Sequence, residues 1–198
     1  MTRRRTYGTD AFSRLSRHGG GQRAALRRNK LAAELDGKTL IRRALEAVPG
    51  ARFSAVTVVS QYEDIEELAG QFGFAAIHND RPDLGLSHTI RLGTEAMRTC
   101  DGILYMVADQ PKLRQETVAR IVEVFCQHPD RIVGAGHDGR RGNPNLFPAK
   151  FFGELMAITG DHGGSSVIRA HEDALLLVET DAEELFDCDT PEALESLT

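Results

Sequence analysis

From residue 31 to the C-terminus, short apolar runs alternate with stretches of helical periodicity. A chain patterned this way can bury its apolar surface only as a sheet covered by helices. "TLIRRALEAV" has its apolar residues at helical spacing and is ended by Pro49-Gly50, while "SAVTVVS" is a short β-branched run expected to be a buried strand. "YEDIEELAGQF" predicts a helix stopped by Gly73, "FAAIH" a strand, and "SHTIRLGTEAMRT" a helix capped by Ser87. "GILYMVA" is the most continuous apolar run and so the candidate central strand; it gives way abruptly to Asp109-Gln110-Pro111. Beyond it follow a helix in "RQETVARIVEVFCQH", a strand in "RIVGAG", a turn-rich excursion in "HDGRRGNPNLFP" and a helix in "AKFFGELMAI". A strand in "ALLLVET" and the closing "ELFDCDTPEALESL" complete the pattern. The expectation is a three-layer α/β fold with a mostly parallel sheet.

Ligands of open α/β sheets sit beyond the carboxyl ends of the strands. Two groups of acids fall at such positions. Asp109 directly follows "GILYMVA", and Pro111 prevents the strand from continuing. Asp187 and Asp189 flank Cys188 ahead of Thr190 and Pro191, which suit the first turn of a helix. An acid after a strand is also a common turn or cap residue, and an acid pair before a helix can simply be its N-cap. Held together on one sheet edge, the two groups offer the hard oxygen ligands that Mg²⁺ takes. Glycines cluster at 19–21, 139–142 and 160–164, and "TGDHGG" places Thr159 and Asp161 in permissive backbone where an anion-binding turn or a plain helix-strand connection would fit. The histidines, His162 among them, show no metal-ligand spacing and are read as solvated or capping residues.

At 198 residues the chain is long enough for one domain with a substantial core. No apolar run approaches the roughly 18 residues needed to span a bilayer, and the basic start is not followed by a signal-type apolar segment. Cys100, Cys126 and Cys188 are odd in number, widely spaced and lack any C-x-x-C pattern, which reads as reduced thiols. A cytoplasmic protein is expected. Charge divides sharply along the chain: the first 28 residues hold eight arginines and one acid, Asp10, whereas the remaining 170 carry 28 acids against 16 bases. That acidic remainder argues against a nucleic-acid partner, which would rest on the opening segment alone.

Taken together, "NKLAAELDGKTLIRRALEA", "ADQP", "RRGNPNLF", "TGDHGGSSVIRAH" and "DCDTPEAL" resemble the molybdenum cofactor nucleotidyltransferases, especially the cytidylyltransferase branch. The resemblance covers residues 29–198 in the family's order. It implies a Rossmann-like nucleotidyltransferase fold and transfer of a nucleoside monophosphate, CMP first, from CTP (or GTP) to molybdopterin with release of pyrophosphate. A molybdenum hydroxylase or its accessory proteins would then be a partner. Carried over by motif, Asp109 and Asp189 match the Mg²⁺ carboxylates and Lys30 the lysine on the triphosphate. Gly85 and Ser87 match the segment near base and ribose. Asn143 and the turn containing Gly160, Asp161 and Gly163 match the side that receives the pterin cofactor. Lys38 occupies the lysine of a "GK-P-L" motif, with Thr39 where proline is usual. Such chemistry needs in-line positioning and charge neutralisation rather than a nucleophilic side chain. A sugar-phosphate nucleotidyltransferase, or a non-catalytic cofactor carrier that has lost its triphosphate loop, are the competing readings.

The opening stretch departs from this family, which begins with an apolar strand feeding "L-A-A-G-x-S-x-R-x-G-x-x-K". Residues 1–28 show neither, so the domain is expected to run from 29 to 198 behind a basic, disordered segment. Read one base later from the second base of the His18 codon, the stretch can encode "MAAGSARRFG", and the normal frame resumes at Asn29. Twenty arginines against four lysines suit the GC-rich codons this requires. An out-of-frame segment is therefore the expectation, with a basic arm or transit peptide as alternatives. On that reading the sheet lacks its first, central strand and Gly19 to Gly21 do not hold phosphate.

Overall fold

The computed structural model describes residues 7–11 and 31–188. Nine strands are described. Seven form one sheet: β1 (Tyr7–Ala11), β4 (Ala55–Ser60), β5 (Ala75–His78), β6 (Gly102–Met106), β7 (Ile132–His137), β8 (Arg140–Pro148) and β9 (Leu175–Glu179), in the order β5-β4-β1-β6-β8-β7-β9. The remaining two, β2 (Glu34–Leu35) and β3 (Lys38–Thr39), pair as a small ribbon. Strand β8 runs antiparallel to β6 and β7, and every other pairing in the large sheet is parallel. The carboxyl ends of the six parallel strands therefore share one edge, where the amino end of β8 also lies.

Helices cover both faces. On one lie α1 (Leu40–Glu46), α2 (Glu63–Gln71) and α4 (Gln115–Gln127); on the other lie α3 (Leu86–Ala96), α5 (Phe152–Ala157) and α6 (Ser165–Ala170). Alternation along β6 shows why two faces are needed. Leu104 and Met106 pack with Val118, Ile121 and Phe125 of α4. Ile103, one residue out of phase, packs with Ile90 of α3, Leu155 of α5 and Ile168 of α6. Val58 continues the first face against Ile41, Leu45 and Ile65. The expected three-layer architecture is present, and among the described residues no helix is long and apolar enough to cross a membrane.

Two expectations are corrected. The opening segment contributes strand β1 to the middle of the sheet, where Gly8 to Ala11 align with Ala55 to Val58 and Tyr7 to Ala11 with Gly102 to Met106. A parallel neighbour on each side satisfies the backbone of such a strand, so a poorly apolar pentapeptide can fill the slot that sequence reading left empty. The rest of residues 1–30 lies outside the described residues.

"HDGRRGNPNLFP" is not an excursion but the longest strand of the sheet. An Asp138-Gly139 turn, with φ of 48° and 74°, reverses the chain directly from β7 into β8. Between the pairs Gly134↔Asn145 and Gly136↔Arg141 the register slips, so Gly142, Asn143 and Pro144 face a single residue, Ala135. Proline cannot donate to a sheet ladder, and the bulge gives Pro144 a place without interrupting the strand.

Candidate functional site

A cavity of about 900 Å³ opens at the carboxyl edge of the sheet. The sequence after β6 forms one wall. Asp109, only 4% exposed, and the buried Gln110 follow the strand as expected. Facing them runs the segment 180–188, which is bound to this wall along its length. Cys188 N–H donates to the Asp109 carbonyl at 2.8 Å. Gln110 Nε2 donates to Asp187 Oδ1 at 3.0 Å and to the Leu185 carbonyl at 3.4 Å. Farther along, Lys112 Nζ meets Glu183 Oε2 at 3.0 Å.

The anchor of this segment is Glu184, 2% exposed. Its carboxylate accepts from Arg114 N–H and Arg114 Nε, both at 2.9 Å, and from Thr180 Oγ1 at 2.6 Å. Arg114 also pairs with Asp181. Burial pushes the Glu184 carboxyl up, but hydrogen bonds from Arg114, Thr180 and Thr117 outweigh it and hold the pKa below the ordinary glutamate value. A buried carboxylate held this way fixes the strap of residues that leads to Asp187 and Cys188.

A second wall joins the start of α3 to the turn at 159–164. Ser87 is not the helix cap: α3 starts at Leu86, Gly85 (φ 80°) holds the cap position, and Ser87 is buried within the first turn. Ser87 N–H donates to the Gly160 carbonyl at 3.1 Å, and Leu86 N–H to Asp161 Oδ1 at 3.3 Å. The cap of α3 is thus supplied by a side chain 75 residues away. Gly85 sits so close to this turn that a Cβ would lie 2.8 Å from the Gly160 carbonyl carbon and oxygen. The structure therefore brings together Gly85, Ser87, Gly160 and Asp161, which the sequence had assigned to opposite sides of the site. Asp161, Gly163 and the bulged Asn143 line the cavity.

The cavity is positively charged overall. Arg140 and Arg141 at the start of β8 and Arg169 in α6 line it, as do His137 and His162, against Asp161 and Asp187. None of the three arginines pairs with an acid among the described residues. They went unassigned in the sequence reading, although "RRGNPNLF" contained two of them. Lys38, by contrast, pairs on the surface with Glu46 at 2.7 Å and does not line the cavity. Lys30 and Asp189 lie outside the described residues. Asp109 and Asp187 are hard oxygen donors on neighbouring segments of one edge, the donor class that fits Mg²⁺.

The family model described as the MobA-like NTP transferase domain matches residues 19–175. The match begins ten residues before Asn29 and includes Gly19 to Gly21. A curated relative, 3-deoxy-manno-octulosonate cytidylyltransferase of Francisella philomiragia, is 23% identical over 109 residues, spanning 52% of this chain and 42% of that protein. Among solved structures, a nucleotidyl transferase from Methanothermobacter thermautotroptrophicus superposes with a TM-score of 0.74 at 20% identity, over 98% of this chain and 96% of the other. The manganese complex of Rv0371C from Mycobacterium tuberculosis H37Rv superposes with a TM-score of 0.71 at 19% identity, over 97% and 96%.

Proposed function

Since the chain belongs to the MobA-like NTP transferase domain family, we propose that it transfers CMP from CTP to the terminal phosphate of molybdopterin, with release of pyrophosphate. In that reaction an acceptor phosphate oxygen attacks the α-phosphorus of CTP. The α–β phosphoanhydride bond breaks, its electron pair leaves with pyrophosphate, and a new phosphoanhydride joins CMP to the acceptor. The product would serve maturation of a molybdenum hydroxylase.

The observation that carries the reading is the arrangement at the sheet edge. The turn after the middle strand carries the buried Asp109, whose backbone carbonyl accepts from Cys188 N–H, and beside it Gln110 and Asp187 line an arginine-bearing cavity. Bringing two phosphate-bearing substrates together costs electrostatic repulsion, and cationic side chains without competing acids reduce that cost. Arg140, Arg141 and Arg169, which line the cavity, would receive the acceptor's anionic group. Mg²⁺, when bound, neutralises the charge growing on the triphosphate, and Asp109 with Asp189 would hold it. Asn143, displaced into the cavity by the β8 bulge, offers an amide for orienting the acceptor.

A second reading is favoured by the curated relative, whose name specifies cytidylyl transfer to a sugar acid. Pyrophosphate release separates the two. The purified chain is assayed with CTP, GTP and ATP against molybdopterin and, in parallel, against sugar acids and sugar phosphates. Turnover with molybdopterin and CTP supports the proposal. Turnover with sugar acceptors alone favours the second reading, and binding without turnover identifies a carrier.

A further inference from the structure

We infer that His137, Asp138 and Glu179 form a binding site for a divalent cation of the zinc class, separate from the carboxylates after β6. The three come from the β7–β8 turn and the end of β9, and each offers one ligand atom within 4.8 Å of the others. No spacing in the sequence suggested them, because the pairing of β7 with β9 brings Glu179 beside His137 from more than forty residues away.

The imidazole is already oriented as a ligand. Its Nδ1–H donates to the Thr180 carbonyl at 2.8 Å, an arrangement typical of metal-ligating histidines, because it fixes the tautomer and leaves the Nε2 lone pair outward. Asp138 Oδ2 lies 3.6 Å from that Nε2. Ligands of a tetrahedral zinc ion stand roughly 3.4 Å apart, so the pair needs little adjustment. Glu179 is positioned by its own contacts: Asp138 N–H donates to Oε1 at 3.1 Å, and Oε1 lies 3.2 Å from His137 Nδ1.

One nitrogen and two carboxylates, all reaching solvent, leave coordination positions open. That donor set suits borderline ions such as Zn²⁺ or Mn²⁺ better than Mg²⁺, which takes oxygen alone. His137 also lines the cavity, next to Arg140, its partner in the β7–β8 register. A cation here would neutralise two acids at the cavity's edge and present an open position to an anionic ligand.

Calorimetric titration of the full chain with Zn²⁺ alone tests the site. One Zn²⁺ is expected to bind, at least about tenfold more weakly in each of His137→Ala, Asp138→Asn and Glu179→Gln, and unchanged in Asp109→Asn. Asp138→Asn suits the positive φ of the turn, so it removes a charge without unfolding the hairpin. No Zn²⁺ uptake by the wild type, uptake indifferent to all three substitutions, or uptake lost in Asp109→Asn overturns the site. Activity plays no part in this readout, so the nucleotidyl-transfer proposal can fail while the cation site stands.

Discussion

The backbone amide of Cys188 donates to the carbonyl of Asp109 over 2.8 Å, tying the last described residue to the turn after the middle strand. Neither residue could be linked to the other by spacing, since 78 positions separate them in a 198-residue chain. The next residue in the sequence is Asp189.

If those two acids hold the ion that steadies the triphosphate, neither is dispensable. Asp109→Asn and Asp189→Asn should each lower kcat by about 100-fold or more, the scale of removing one preorganised charge contact. Thermal melting should move little, because an amide nearly matches the shape it replaces. A variant retaining near wild-type turnover would remove Asp109 from the chemistry.

The Glu184 anchor predicts a pH-dependent defect. Glu184→Gln leaves the Arg114 amide and guanidinium with a weaker acceptor and should cost about 1–3 kcal/mol at neutral pH. The lower end is the better expectation, since Arg114 is 54% exposed and its pairing is screened. The folded pKa of Glu184 is depressed, so its contribution is present above the ordinary value of 4.5 and is lost as pH falls through the lower folded value. Melting temperatures of wild type and variant should differ most near pH 7 and converge below about pH 4.5. A gap constant across that range would contradict the assignment.

The α3 junction makes a separate claim. Gly85→Ala meets both a positive φ of 80° and the Gly160 carbonyl at 2.8 Å, so it should destabilise by about 1–3 kcal/mol. Asp161→Ala removes the cap and should cost about 1 kcal/mol, while Asp161→Asn, whose amide oxygen can still accept, should cost less. Chemical denaturation of the three variants checks this order. An Asp161→Asn as damaging as Asp161→Ala would mean that charge, not capping, is the role of the carboxylate.

How far the sequence could be read depended on the range over which its signals act. The continuous apolar runs in "SAVTVVS" and "GILYMVA" report local burial, so the layers and the edge carrying Asp109 were legible. Strand β8 was misread because glycines, arginines and Pro144 look like a loop, and only the neighbours β6 and β7 make them a strand. Asp161 was legible as a candidate residue of the glycine-rich turn but not as the cap of α3, a partnership made by folding. Glu184 gave no signal at all: "AEELF" is an ordinary surface-like stretch, and its burial comes from Arg114 and Thr180. Strand β1 was passed over because its apolar content is low, although backbone pairing to β4 and β6 does not require apolar side chains.

The three cavity arginines separate acceptor binding from chemistry. Arg140, Arg141 and Arg169 have no acidic partner among the described residues, so their charge is available to a ligand rather than consumed by the fold. Each Arg→Ala change should raise the acceptor KM by about 10-fold, corresponding to the roughly 1.4 kcal/mol expected of one partly solvated charge contact. The KM for CTP should change much less. Binding lost equally from ground and transition states leaves kcat near wild type. Raising ionic strength should weaken acceptor binding in the wild type and do so less in each variant, because screening acts on the charge that the substitution removes. Steady-state kinetics with each substrate varied in turn, at low and high salt, reads both effects. If the variants instead raise the CTP KM and leave the acceptor untouched, the arginine side of the cavity belongs to the triphosphate, and the two substrates exchange places in the site.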